Sequence, residues 1–248
     1  MAVKNILISQ NTPRVLNQYQ VLTEKFGVTF DFRPFFRSEV ISLREFRAQK
    51  VNIPDFTAVV FSSRHAIDAY FKICEEIRFK VPETMKYFCT SEIVAMYLQK
   101  HIVYRKRKIF FGNGSSASIV DLIGTKHKGE KFLITASDSA DTGHLTSLFD
   151  AKGLDYTKAV FVKSVTNDLK SEIDLGSYDM MVLYNPSDLK SLQENFPDFA
   201  QGDMKIATYG KAIARSAEEA GLRVDLKAPT DEAPSVAKAI ELYLQNLS

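Results

Sequence analysis

The second half of this sequence repeats the first. When the chain is shifted by 126 positions, Asn5–Ser9 lies over Lys131–Thr135, and Gly27 lies over Gly153. Further along, Met85 meets Met204 at a smaller shift of 119. A slowly shrinking shift is expected when loops shorten after a duplication, so we predict two similar units of roughly 120 residues each. The alternative is that the two halves share only the generic pattern of their fold class.

Short apolar runs alternate with segments of helical period along both halves. Asn5–Ser9 and Thr57–Phe61 have the length and branched side chains of buried strands. Val15–Phe26 and Arg64–Ile77 carry apolar residues at helical spacing, and Gly27 ends the first of these helices. This alternation predicts an α/β fold with mostly parallel, doubly wound sheets.

Two further strands are predicted with less regular sequences. Val28–Phe36 is rich in aromatic residues but contains Pro34, which central strands reject, so we predict an edge or linking strand. Val103–Phe111 is also predicted to be a strand. Its run Arg105–Lys108 is the one dense block of charge, which fits a solvated strand edge or a patch for nucleic acid.

Composition excludes several classes of function. The net charge of +2 does not favour a nucleic-acid partner. The two cysteines, Cys74 and Cys89, form no CxxC pair and fit a reducing cytoplasm, and the four histidines show no metal-ligand spacing. No apolar run approaches the roughly 20 residues that cross a bilayer, and no signal peptide is expected before the first strand. We therefore expect a cytoplasmic protein with no membrane partner and no metal site.

Familiar catalytic motifs are absent, but a polar strand-to-helix turn recurs four times. The chain has no GxGxxG, P-loop or GxSxG sequence. In open α/β sheets, ligands bind beyond the carboxyl ends of the strands, where helix N-termini attract anions. We therefore predict anion-binding residues in these turns, although each polar side chain could instead only cap its helix. The candidates are Ser62, Ser63, Arg64, Thr90, Ser91, Asn185, Pro186, Ser187, Gly210, Lys211 and Ala212.

Three stretches resemble the uroporphyrinogen-III synthase family. Val59–Ile67 resembles the family motif V-V-F-[ST]-S-x-x-A-[VI]. Ile206–Gly210, followed by Ala220–Val224, is similar to the signature I-A-x-[IF]-G…x-G-[LV]-x-V, and Ala228–Thr230 looks like the segment beyond it. The individual motifs are loose, so the weight of the resemblance comes from their order and spacing along the chain.

The resemblance implies a fold. Family members have two similar α/β lobes joined by a two-stranded β linker, with a cleft between the lobes. Transferred to this chain, residues 1–30 with 167–248 would form a discontinuous first lobe, and residues 38–156 the second. Residues 31–37 and 157–166 would be the linker strands, and Pro34 would lie on an exposed linking strand.

The resemblance also implies a reaction. The family closes linear hydroxymethylbilane, a tetrapyrrole with eight carboxylates, with loss of water and inversion of the last pyrrole ring. It needs no metal or cofactor, and it would act here as a monomer on this small-molecule substrate. The polar turns would hold the carboxylates, and a proton donor would act on the leaving hydroxyl.

Two departures from the family pattern leave other functions open. The family usually has G-P-T-T where this chain has Gly210 followed by Lys211, Ala212 and Ile213. A tyrosine often found in the returning linker falls on Val162, so Tyr209 becomes the candidate proton donor, with Tyr184 as another. The alternatives are a catalytically weakened relative that binds a tetrapyrrole or other polyanion without turnover, and a two-lobed binding module for a small anion.

Overall fold

The computed structural model describes residues 3–139 and 142–247. It divides into two compact units, Met1–Arg37 with Val165–Ser248, and Ser38–Ser164. The strands, in chain order, are β1 Asn5–Ile8, β2 Thr29–Phe32, β3 Phe36–Val40, β4 Ala58–Phe61, β5 Lys86–Cys89, β6 Ile109–Phe111, β7 Lys131–Ser137, β8 Asp155–Thr166, β9 Met180–Leu183, β10 Lys205–Tyr209 and β11 Val224–Ala228.

The helices lie between these strands, as the alternating pattern predicts. In chain order they are α1 Asn17–Phe26, α2 Leu43–Ala48, α3 Arg64–Glu76, α4 Glu92–Tyr97, α5 Ser116–Ile123, α6 Gly143–Lys152, α7 Pro186–Asn195, α8 Lys211–Glu219 and α9 Val236–Gln245. None of the helices described is both long and apolar enough to cross a membrane.

Each unit contains one sheet, and the strand order of the two sheets repeats as the sequence does. The first sheet has the order β11-β10-β9-β1-β2, with every neighbouring pair parallel. The second has the order β3-β8-β7-β4-β5-β6, parallel from β8 to β6. Under the sequence repeat, β1 corresponds to β7, β9 to β4 and β10 to β5. The predicted α/β class with parallel sheets is therefore confirmed.

Both faces of each sheet are covered, because alternate residues of a strand enter different cores. In β9, Met180 and Val182 pack with apolar residues of α9, whereas Met181 and Leu183 pack with those of α7 and α8. In the second sheet, Val59 and Val60 of β4 likewise enter two separate clusters. This arrangement explains why the strands are continuous apolar runs rather than alternating ones.

Two predicted elements differ from the observed ones. The strand predicted from Val103 is confined to Ile109–Phe111, because the charged run before it folds into a turn in which the Lys108 amide donates to the Arg105 carbonyl at 2.9 Å. The strand predicted over Val28–Phe36 is interrupted, because Pro34 lies between β2 and β3 and outside both strands; β2 is nevertheless an edge strand, as predicted.

Candidate functional site

In the unit Ser38–Ser164, three strands end side by side and place polar residues at one edge of the sheet. Phe61, Cys89 and Phe111 are paired in register across β4, β5 and β6. Because the strands are parallel, the residues that follow them lie along a single edge, which we call the carboxyl edge of each sheet. The predicted turns at Ser62 and Thr90 are thereby brought together.

The polar side chains of the turn after β4 differ in role, since one caps a helix and others are accessible to a ligand. The Ser63 hydroxyl caps α3 by accepting a hydrogen bond from the Ala66 amide at 3.1 Å. The exposed Ser62 hydroxyl has no hydrogen-bond partner in the part of the chain that the structure describes. The Arg64 guanidinium lies 5.9 Å from the centre of the Tyr97 ring. Ser62 and Arg64 are thus the residues of this turn that can meet a ligand.

The turn after β5 leaves its helix without a side-chain cap. Ser91 occupies the N-cap position of α4, but its hydroxyl makes no capping hydrogen bond. The Thr90 hydroxyl instead donates to the Ser62 carbonyl at 3.3 Å, which ties the two turns together. The geometry is therefore consistent with a shared edge for these residues and Ser62, and the Ser91 hydroxyl has no hydrogen-bond partner among the residues that the structure describes.

A third polar turn on this edge follows β6. The Ser118 hydroxyl accepts from the Asn113 amide at 3.2 Å and donates to the Ser115 carbonyl at 2.7 Å. Gly112 permits this arrangement, because a Cβ there would lie 2.1 Å from the Ser118 oxygen. The sequence Gly112–Ser115 is typical of a loop. Its position beside Thr90 depends on strand pairing, so the sequence alone did not identify this loop as part of the site.

In the other unit, the turn after β9 is held by a capping box. The Asn185 side chain accepts from the Ser187 amide at 2.9 Å, and Pro186 occupies the first turn of α7. The reciprocal partner is the Asp188 carboxylate, which accepts from the Tyr184 and Asn185 amides at 2.8 and 2.9 Å. Ser187 is 7% exposed, so it supports this turn from within and offers little surface to a ligand.

Asp188 also joins two neighbouring strand ends. The buried Ser9 hydroxyl, which follows β1, donates to the same carboxylate oxygen of Asp188 at 2.7 Å. The other oxygen is buried and has no hydrogen-bond partner among the described residues. Burial raises the pKa of Asp188 to about 6, although the three donors favour the charged form. This role of Asp188 was not predicted, although an acidic residue three positions after Asn185 is the sequence signal of a capping box.

The turn after β10 is the most open of the four. Gly210, at the N-cap position of α8, has φ +111° and ψ +151°, a conformation essentially restricted to glycine. Since glycine has no side chain, no side-chain cap satisfies the first amides of the helix. Lys211 and Ala212 are exposed, and Lys211 makes no ion pair within the described ranges. Free amides, a helix dipole and an ammonium group are the features that bind a carboxylate.

Tyr209 stands beside this turn at the end of a row of phenol rings. It is 37% exposed, and its ring centre lies 5.6 Å from that of half-buried Tyr184. Burial, followed by the charges and hydroxyls of nearby tyrosines that include Tyr19, raises the pKa of Tyr184 far above its usual value. Tyr184 is therefore a poor proton donor, and Tyr209 is the phenol that a ligand at the α8 turn can reach.

A cavity of about 580 Å³ lies near Tyr19, between α1 and β2. Its walls include Glu24, Asp31 and Arg33, and the Arg33 guanidinium already pairs with Asp31 at 3.0 Å. Because two carboxylates outweigh one paired guanidinium, this cavity does not suit a polyanion.

The described residues contain no group of three or more His, Cys, Asp or Glu side chains placed to hold a metal ion. Both cysteines are buried and free. The chemistry that the two carboxyl edges offer is hydrogen bonding, positive charge from Arg64 and Lys211, and one accessible phenol. That set can bind and orient carboxylates and can supply a proton.

Comparison with known proteins finds a protein family whose model matches this chain. A family model described as uroporphyrinogen-III synthase HemD matches residues 17–238. Among solved structures, a uroporphyrinogen-III synthetase from Helicobacter pylori is 15% identical with a TM-score of 0.56, covering 98% of this chain and 99% of that one. A mutant uroporphyrinogen III synthase from Thermus thermophilus is 13% identical with a TM-score of 0.53 and 98% coverage of both chains. At this identity, the structures show a shared fold. No curated protein sequence gives a significant match.

Proposed function

This chain belongs to the uroporphyrinogen-III synthase family, and we propose that it closes linear hydroxymethylbilane into uroporphyrinogen III in tetrapyrrole (heme) biosynthesis. The observation that carries the proposal is the family match over residues 17–238. Loss of water from the substrate would make the chain a hydro-lyase. Its working form is proposed to be a cytoplasmic monomer, a location supported by two free, buried cysteines.

We assign the binding of substrate carboxylates to the polar turns at the two carboxyl edges. Ser62, Arg64 and Ser91 supply hydroxyls and a guanidinium, and Thr90 and Ser63 hold those groups in place. In the other unit, the Lys211 side chain supplies positive charge, and the backbone amides of Lys211 and Ala212 supply donors. Asn185, Pro186 and Ser187 fix the neighbouring turn. Charge-assisted hydrogen bonds to carboxylates are stronger than neutral ones, so a few such groups suffice to position the substrate.

Tyr209 is the proposed general acid. Its phenol would donate a proton to the leaving hydroxyl, so that the C–O bond breaks and water departs, leaving a carbocation conjugated with the pyrrole. The terminal pyrrole then attacks through the α-carbon that already carries its methylene bridge. The bond from that carbon to the bridge breaks, and the freed methylene forms a new bond to the unsubstituted α-carbon of the same ring, which inverts the ring. The proton lost from this second carbon as the macrocycle closes restores the phenol. The faces of the Tyr209 and Tyr184 rings, 5.6 Å apart, could stabilise the cation. The reaction balances as loss of one water and involves no net oxidation.

The test is an assay with freshly prepared hydroxymethylbilane, with the product isomers separated after oxidation. We expect the type III isomer at an enzymatic rate. Only the uninverted type I ring, at the spontaneous rate, would contradict the proposal. Tight binding of uroporphyrinogen without turnover would instead identify a catalytically weakened relative.

The same assay tests the role of Tyr209. The Tyr209→Phe variant should lose at least about 100-fold in kcat with little change in KM, because general acid catalysis contributes roughly 10²–10⁴. The matched control is Tyr243→Phe on α9, a ring that packs in the core around β9. A Tyr209→Phe variant with unchanged kcat would exclude Tyr209 as the acid without excluding the reaction.

A further inference from the structure

The charged run Arg105–Lys108 has no part in the candidate site. It precedes β6, so it lies at the amino end of its sheet, whereas the polar turns follow the carboxyl ends. Its last residue is fixed to the neighbouring strand, because the Tyr87 amide donates to the Lys108 carbonyl at 2.8 Å. The run is therefore held in a defined position.

A cavity of about 360 Å³ lies beside this run. We call it the amino-end cavity. Its floor consists of Met85, Tyr87 and Ile109, which are 1%, 3% and 4% exposed. Val103, also in the lining, is 78% exposed and gives the cavity an apolar rim. Such a floor favours the flat apolar body of a small ligand.

The charged residues of the lining are mainly cationic. Lys80, His101, Arg105 and Lys108 face one acidic residue, Glu83, which pairs with Arg105 at 2.8 Å. His101 is engaged by Asp68 at 2.7 Å. Among the residues that the structure describes, Lys80 and Lys108 make no ion pair. Two ammonium groups thus remain unneutralised above an apolar floor.

We propose that the amino-end cavity binds a small amphipathic anion, with an aromatic body of one or two rings and a carboxylate or sulfonate group. The rings would pack on Met85, Tyr87 and Ile109, and the acid group would pair with Lys80 and Lys108. At about 360 Å³ the cavity is at the small end of ligand pockets, so it suits a fragment-sized molecule rather than an open-chain tetrapyrrole. This binding site is independent of the proposed function.

The test uses a local fluorescent reporter. The chain contains no tryptophan, so a Val103→Trp variant places a single tryptophan at the cavity. The probe is 5-(dimethylamino)naphthalene-1-sulfonate, a two-ring aromatic sulfonate that accepts energy from tryptophan. We expect saturable quenching of tryptophan emission with one site. An absence of saturable quenching would overturn the proposal.

A charge-matched pair of variants separates the cavity from diffuse attraction. In the Val103→Trp background, Lys80→Glu with Lys108→Glu should weaken probe binding at least tenfold. Lys106→Glu with Arg107→Glu changes the net charge by the same amount, and both residues belong to the charged run, but neither lines the cavity. This control pair should change probe binding less than twofold. Equal weakening by both pairs would overturn the proposal. If the first pair does not fold, Lys80→Ala with Lys108→Ala gives the same comparison against Lys106→Ala with Arg107→Ala.

Discussion

At the scale of single residues, Gly210 is the position most sensitive to substitution in the α8 turn. Its φ of +111° is unfavourable for any other residue, and a Cβ there would meet no atom within 4 Å. The cost of Gly210→Ala should therefore come from backbone strain alone, roughly 1–3 kcal/mol of unfolding free energy. Urea denaturation of the wild type and the variant measures this difference.

Gly129→Ala is the control for this substitution. Gly129 also leaves open space for a Cβ, but its φ lies outside the left-handed region. Its replacement should change the unfolding free energy by less than about 0.5 kcal/mol. Equal effects at the two glycines would show that the conformation of Gly210 is not the cause.

At the scale of the element, two adjacent serines at the start of α3 are expected to have different roles. Ser63 caps the helix, whereas Ser62 is proposed to bind the substrate. Ser63→Ala removes a helix cap and should cost about 1 kcal/mol of stability. Ser62→Ala removes no cap, but it should raise KM for the bilane by about two- to tenfold through one lost hydrogen bond. Urea denaturation and steady-state kinetics on both variants measure the two effects. If Ser63→Ala lowers stability but Ser62→Ala leaves KM unchanged, the turn has only a structural role.

Asp68 on α3 links this helix to the end of α4 and the turn beyond it. Its carboxylate accepts from Tyr97 at 2.7 Å, Lys100 at 2.9 Å and His101 at 2.7 Å. Partial burial opposes ionisation, but these donors together lower the pKa of Asp68 from 3.8 to about 2. A lowered folded-state pKa means that the stabilisation is complete above the unfolded value and is lost as the pH falls through the folded value.

We therefore expect the difference in stability between the wild type and Asp68→Asn to be largest above about pH 5 and to fall steadily toward pH 2. Urea midpoints measured across this range test the slope. Asp155→Asn, at the exposed start of β8, is the control and should show no such slope. A difference that does not vary with pH would mean that the ionised carboxylate is not what stabilises the α3–α4 contact.

At the scale of the whole molecule, one unit is formed by two separate segments of the chain and the other by a single continuous segment. All the apolar residues of the two cores around the second sheet lie within Ser38–Ser164. We therefore predict that a fragment of residues 38–164 folds on its own, with a cooperative urea transition and α/β circular dichroism.

The C-terminal segment should behave differently. In the first sheet, β1 lies between β9 and β2, and Ile6, Ile8 and Leu22 complete its core. A fragment of residues 165–248 lacks these residues and should show no cooperative transition. Independent folding of this fragment would contradict the requirement for β1.

Local sequence predicted most of the fold. Strand and helix positions follow from apolar periodicity and from residues such as Ser63 and Gly27, whose effects act within one turn of the chain. The strand predicted over Val103–Phe111 is longer than the observed one, because apolar spacing does not reveal the turn in which the Lys108 amide donates a hydrogen bond to the Arg105 carbonyl. Strand order depends on pairing between distant segments, so the internal repeat predicts two similar units but not the order of their strands.

The polar turn at Gly210 was visible in the sequence by itself, together with the repeat, the α/β class and the family resemblance. Only the tertiary structure decided which turns are capped and what surrounds them. Ser9 and Asp188 are far apart in the chain, yet they meet because β1 and β9 are paired. Tyr184 is half-buried near Tyr19 while Tyr209 is more accessible, which is why Tyr209 is the phenol proposed as the acid. Periodicity and capping act over a few residues, whereas burial and charge depend on neighbours that strand pairing brings together.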